Sequence, residues 1–318
     1  MLTYFLFIIG FIILIKGAEL LVNGASTIAK KLKVSDLVIG LTIVAFGTSA
    51  PEMFVNVSAS IQGNSGIAIG NIIGSNIANI LLILGVSTLI FPLAVQSTTV
   101  WKEIPFSLLA ALILGILAND YLIDHKENSE LTRSDGLILI GFFIIFIYYI
   151  FSIAKKSENA VNEEFKQLSN FMTAAYIILG LTGLILGGTW ISNGAVKIAA
   201  KFGVSEYLIG LTVVAVGTSL PELATSAVAA YKKNTNIAIG NVIGSNIFNI
   251  FWVLGLSAVI KPLPFQPSAN SDLAMTVFSS ILLFALLFVG KKHVLKKWQG
   301  ILFLILYAGY IVFIIKRG

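Results

Sequence analysis

The chain has 318 residues, of which 57% are hydrophobic and only 11% charged, with a net charge of +6 and no cysteine. Soluble domains carry about 25% charged residues, so this composition excludes a water-covered globule and places the chain in a bilayer. The missing cysteine excludes disulfides and thiolate metal sites, and the positive balance reads as basic cytoplasmic loops rather than a nucleic-acid surface.

In chain order, hydrophobic stretches long enough to cross a membrane (about 20 residues) fall at residues 3–24, 37–61, 66–92, 102–119, 134–154, 171–196, 207–231, 235–260, 272–290 and 298–315. The expected fold class is therefore an all-α membrane protein with ten transmembrane helices. The first stretch, "LTYFLFIIGFIILI", runs on into "KGAELLVNGA" without a basic n-region or a small-residue cleavage site, so it reads as a span and not as a secretory leader. The fourth is the shortest. The most polar connection is residues 155–170, "KKSENAVNEEFKQLSN". It divides the chain into two units of five spans, 1–154 and 171–318. With the N-terminus outside, the inner loops hold thirteen basic residues and the outer ones seven. Basic loops stay in the cytoplasm, so both termini are expected outside and 155–170 is a cytoplasmic linker. His125 and His293 read as solvated loop residues. Lys16 and Glu19, three apart in the first span, read as an internal ion pair or a lysine reaching the inner interface.

The two units repeat. Residues 40–80, "GLTIVAFGTSAPEMFVNVSASIQGNSGIAIGNIIGSNIANI", match residues 210–250, "GLTVVAVGTSLPELATSAVAAYKKNTNIAIGNVIGSNIFNI", at 24 of 41 positions with a constant offset of 170. Five spans separate equivalent helices, and five is odd, so the copies are expected to cross in opposite directions. Such inverted repeats build secondary transporters with the substrate site at the midplane.

Within each repeated segment one carboxylate, Glu52 or Glu222, stands in the middle of an apolar span. An ionisable group there is costly and marks function by default. No Lys or Arg lies in the second, third, seventh or eighth span to neutralise it, which leaves protons or a bound cation. Thr48 and Ser49 precede Glu52 by four and three residues, and Thr218 and Ser219 precede Glu222 in the same way, so each trio shares a helix face. Pro51 and Pro221 lack a backbone donor. The expected kink leaves carbonyls such as those of Ala45, Gly47, Ala215 and Gly217 partly unpaired. On the partner spans, Ser75 and Asn79, and likewise Ser245 and Asn249, are one turn apart. Gly70 and Gly74, with Gly240 and Gly244, permit close helix approach. Asn71, Asn76, Asn241 and Asn246 read as satisfying backbone and helix ends. Every donor in this set is oxygen, which suits hard cations such as calcium and sodium and not zinc or copper. Two carboxylates balance one calcium ion or two sodium ions, as an exchanger requires.

The segments "GTSAPE…GNIIGSNIANI" and "GTSLPE…GNVIGSNIFNI" resemble the α1 and α2 repeats of the cation/calcium exchanger superfamily, and most of all its prokaryotic sodium/calcium exchangers. The resemblance implies ten helices in two inverted five-helix repeats, with long first and sixth helices that slide against a core of the other eight. It implies ion ligation by Thr48, Ser49, Glu52, Ser75 and Asn79, by Thr218, Ser219, Glu222, Ser245 and Asn249, and by the carbonyls of Ala45 and Ala215. Calcium would centre on Glu52 and Glu222, with sodium flanking it. Many exchangers carry aspartate where this chain has Asn249. Two asparagines leave at most two negative charges, so three bound sodium ions would make transport electrogenic. The expected activity is sodium/calcium antiport by alternating access in the plasma membrane. A proton/calcium antiporter is the alternative, and a channel or a non-transporting receptor stands further off. No enzyme constellation, cofactor, nucleic-acid contact or obligate protein partner is implied. The partners are calcium, sodium and the lipid bilayer.

Overall fold

In the computed structural model of the chain the described residues are 2–123, 125, 127–156, 169–201 and 215–317. Most of the 155–170 linker and the beginning of the seventh predicted span, 207–214, lie outside them. The helices are α1 (Leu2–Lys31), α2 (Asp36–Thr48), α3 (Ala50–Gln62), α4 (Ser65–Ile90), α5 (Ser97–Leu117), α6 (Arg133–Lys156), α7 (Asn170–Lys201), α8 (Ala215–Thr218), α9 (Leu220–Tyr231), α10 (Thr235–Ile260), α11 (Pro267–Leu286) and α12 (Lys297–Arg317). Among the described residues eight helices are long and apolar enough to cross a membrane, or nine when α2 and α3, bent by 47° at their junction, count as one span.

Several boundaries differ from the expected ones. The first span does not stop at residue 24. Its polar tail "STIAKK" stays helical to Lys31, because Ala and Lys are strong helix formers and the tail is anchored. Lys31 Nζ donates to Asn170 Oδ1 at 2.8 Å and to Thr173 Oγ1 at 3.0 Å, both at the beginning of α7. The sixth span likewise runs past residue 196 to Lys201. The fourth begins earlier than residue 102, at Ser97, and is interrupted at Lys102, where φ is −130° and ψ −65°. His293 is no solvated residue. Its backbone is left-handed at φ +58°, its ring meets Phe288 edge-on at 5.7 Å, and its Nε2 is buried without a partner. His125 is exposed as expected.

Both halves start their third helix with the same device. Asn64 caps α4 by accepting from the Ile67 N–H at 3.4 Å, and Asn234 caps α10 by accepting from the Ile237 N–H at 3.1 Å, as Asn does at helix starts. Before α4 the chain turns at Gly63, where φ is +80°, a conformation that glycine adopts without strain. Two short antiparallel strand pairs, absent from the all-α expectation, tie loops of one half to loops of the other. β1 (Leu93–Ala94) pairs with β4 (Val294–Leu295), and β2 (Glu130–Leu131) pairs with β3 (Leu263–Pro264).

α1 and α7 pack antiparallel along their length. Lys197 near the end of α7 donates to Thr3 at 3.0 Å, just as the end of α1 meets the beginning of α7. They approach through glycines seven residues apart. A Cβ on Gly17 would lie 2.8 Å from the Gly180 carbonyl oxygen, and one on Gly187 would lie 2.8 Å from that of Gly10. This pair faces outward, whereas α4 and α10 are each 78% buried over their apolar windows and form the centre of the molecule. Gly240 and Gly244 press on α2, as the small-residue spacing predicts. A Cβ at either would lie within 2.9 Å of a backbone carbonyl, of Leu37 or of Leu41. Gly70, expected to allow the same approach, instead has open space within 4 Å of where its Cβ would stand.

Candidate functional site

The repeated "GTS-x-PE" segments fold alike. α2 and α3 are separated at Ser49, with φ −81° and ψ 7°, and α8 and α9 at Ser219, with φ −85° and ψ 5°. The prolines explain the break and free two of the carbonyls expected to be loose, those of Gly47 and Gly217, but not that of Ala45. A helical N–H bonds the carbonyl four residues back, so Pro51 and Pro221 remove the donors for Gly47 and Gly217. The Ala45 carbonyl is engaged. It accepts the Ser49 N–H at 3.0 Å and lies 3.3 Å from the Thr48 hydroxyl. Ala215 opens α8 at the same distance before Ser219.

The ten predicted side chains are all buried, and the two halves exchange contacts. Ser49 Oγ donates to Glu222 Oε1 at 2.8 Å, and Ser219 Oγ donates to Glu52 Oε1 at 3.2 Å. From the partner helices, Ser75 Oγ stands 3.5 Å from Glu52 Oε1 and Ser245 Oγ 3.5 Å from Glu222 Oε1. Each carboxylate thus has its Oε1 supplied with hydroxyl donors from both halves. Its Oε2 is buried with no partner, and so are Asn79 Oδ1 and Asn249 Oδ1. Buried acceptors without partners are rare and call for an explanation. Here there are four, two from each half, at the positions the sequence singles out. No basic side chain among the described residues contacts either carboxylate, and no group of three His, Asp or Glu side chains is assembled among them.

Four further asparagines form a frame around these oxygens. Asn71 Nδ2 donates to Asn56 Oδ1 at 2.8 Å, while Asn71 Oδ1 accepts the Thr218 hydroxyl at 3.2 Å. In the other half Asn241 Nδ2 donates to Ser226 Oγ at 2.9 Å, and Asn241 Oδ1 accepts the Thr48 hydroxyl at 3.0 Å. Asn76 Nδ2 donates to the Asn246 carbonyl at 3.2 Å, as a residue expected to satisfy backbone does. Sequence reasoning missed Asn56 and Ser226. A polar residue four after each glutamate was the available signal. It also missed the wide π-helical turns at Asn79–Ile83 and Phe248–Leu254, for which no proline or glycine gives a cue. Such turns often mark functional sites, and these begin at or just before Asn79 and Asn249.

Away from the centre, Lys16 Nζ and Glu19 Oε2 do pair, at 2.8 Å on the exposed face of α1. Next to them Lys232 Nζ donates to Asn23 Oδ1 at 2.7 Å, joining the end of α9 to α1. Burial lowers the Lys232 ammonium below the usual lysine range.

Chemically, the centre offers two carboxylates, two amide oxygens and six hydroxyls in a dry environment. That is a hard-cation environment. The family model "Sodium/calcium exchanger protein" matches residues 2–152 and 172–316. The inner membrane protein YrbG of Escherichia coli is 35% identical over 97% of this chain and 94% of its own length. The sodium/calcium exchanger MaX1 of Methanosarcina acetivorans is 33% identical over 98% of this chain and 97% of its own. A solved structure of the sodium-calcium exchanger NCX_Mj superposes with a TM-score of 0.83 at 36% identity, covering 98% of both chains. The chain therefore belongs to the sodium/calcium exchanger family, as a multi-pass integral membrane protein and a cation/calcium antiporter.

Proposed function

We propose that this chain exchanges sodium for calcium across the cell membrane, by alternating access at the site between α3, α4, α9 and α10. The ligands are Glu52, Glu222, Thr48, Ser49, Ser75, Asn79, Thr218, Ser219, Ser245 and Asn249, joined by the carbonyls of Ala45 and Ala215. The observation that carries the reading is the set of four buried, unpartnered acceptor oxygens, Oε2 of Glu52 and Glu222 and Oδ1 of Asn79 and Asn249. A cation supplies what those oxygens lack. A Thr48 hydroxyl has one proton, and giving it to Asn241 Oδ1 at 3.0 Å leaves a lone pair on the Ala45 carbonyl for the ion. Calcium accepts six to eight oxygens in loose geometry, and the two carboxylate charges are balanced by one calcium or two sodium ions.

The arrangement proposed around this site is ten helices in two inverted five-helix repeats, residues 1–154 and 171–318, with a cytoplasmic linker at 155–170. The motif segments are 40–80 and 210–250. Supporting it are the repeat at an offset of 170, the antiparallel α1 and α7, and the reciprocal serine–glutamate bonds between halves. The glycine-lined contact of α1 with α7 lets the two move as one body, and sliding against the core would break the bonds that join α1 to it, such as Lys232 to Asn23. An empty site holds two carboxylates repelling in low dielectric, so ion occupancy lowers the barrier to sliding. The excess of basic residues in the inner loops supports both termini lying outside.

Purified protein in calcium-loaded vesicles tests the reading. An imposed sodium gradient should drive calcium movement, and the reversal potential gives the ion ratio. Calcium driven by a pH gradient alone, indifferent to sodium, would overturn it.

A further inference from the structure

We infer that Asn76 and Asn246, outside the ligand set, are positioning residues that set which atom of Asn249 and Asn79 faces the ion. The inference rests on the ion site proposed above and adds a specificity device to it. An asparagine side chain has an oxygen and a nitrogen of nearly the same shape, and only hydrogen bonds decide which way the amide lies. Facing a cation the oxygen is a ligand and the N–H₂ group a repulsive dipole. A ligand asparagine therefore needs something to hold its nitrogen away.

The structure provides that hold across the halves. Asn76 is oriented by backbone, since its Nδ2 donates to the Asn246 carbonyl at 3.2 Å. This leaves Asn76 Oδ1 as an acceptor, and it takes the Nδ2 of Asn249 at 3.1 Å. Reciprocally, Asn246 Oδ1 takes the Nδ2 of Asn79 at 2.9 Å. With their nitrogens held, the two ligand asparagines keep their Oδ1 atoms buried and unpartnered. All four side chains are buried, at most 1% exposed, so no water competes for the amides. Each half thus orients a ligand of the other, in the pairs 76 with 249 and 246 with 79. A carboxylate at 249 would need no such hold, because both of its ends are oxygen. It would instead set an oxygen against Asn76 Oδ1.

A double-substitution cycle on the full chain in detergent tests this, with calcium affinity from calorimetry as the readout. Asn76→Leu removes the acceptor while keeping the branched shape of the side chain. It should weaken calcium binding about tenfold, the size of one hydrogen-bonded contact to a charged group. In that background Asn249→Asp should restore the affinity, whereas in the unaltered protein it should gain little. Asn79→Asp adds the same charge but not the missing orientation, so it should leave Asn76→Leu unrescued. If Asn249→Asp changes affinity by one factor in both backgrounds, or if Asn79→Asp rescues equally well, the positioning role is overturned and Asn76 is packing. Should Asn76→Leu fail to yield monodisperse protein, Asn246→Leu with Asn79→Asp runs the same cycle through the other pair. Glu52→Gln in the same assay separates the two levels. Calcium binding that survives it undoes the site itself, while binding lost there with no pair-specific rescue undoes only the orienting role.

Discussion

The outer and the central contacts between the two halves are made in opposite ways. α1 and α7 meet through glycines, backbone against backbone, and turn residues such as Phe5, Ile8, Phe11 and Ile12 outward. α4 and α10 meet through asparagines joined by directional hydrogen bonds, with no exposure. Close packing through small residues is held by van der Waals contact, so a displacement there strands few polar groups beyond the lysine bonds at the two ends of the pair. A buried hydrogen-bond network tolerates no displacement, since each broken bond strands a polar group. The difference assigns the moving part and the fixed part of the proposed exchange cycle to different chemistry.

The comparison breaks most readily at the carboxylates. Glu52→Gln or Glu222→Gln should reduce sodium-driven calcium uptake at least about 100-fold, because a buried charge contact removed from one side costs about 3–5 kcal/mol. The melting temperature without ions should hold or rise, since the repulsion between the two acids is gone. Uptake that persists would remove the fixed part from the mechanism. Gly17→Leu attacks the moving part. Its Cβ would lie 2.8 Å from the Gly180 carbonyl oxygen, and separating the helices costs about 1–3 kcal/mol of overpacking. Turnover should fall about tenfold while calcium affinity in calorimetry stays unchanged. An affinity loss with normal turnover would reverse the assignment. Ser49→Ala and Ser219→Ala sharpen the symmetry. Each removes one hydroxyl from the opposite half's glutamate, and each should weaken calcium binding about tenfold, to similar extents. A strong inequality would show that the halves bind different ions. The smallest effect is expected from Lys16→Ala. The pair with Glu19 is exposed and worth about 0–1 kcal/mol, so uptake should change by no more than about fivefold. A larger change would extend the machinery onto α1.

Much of this protein is written in local pattern. Apolar runs interrupted by charge mark the spans because a bilayer accepts little else, and a proline two residues after each repeated "GTS" marks the helix break. Glu52 and Glu222 stand out because nothing basic in the sequence lies near enough to neutralise them. These are properties of neighbours along the chain, for which period and composition suffice. The exchange between halves is not of this kind. That Ser49 serves Glu222 rather than Glu52, and that Asn246 holds Asn79, depend on how two distant segments cross. The residues involved lie up to 173 positions apart. A hydrogen bond is decided by a few tenths of an ångström and by angle, quantities that no spacing rule contains, and so they appear only once the helices are packed.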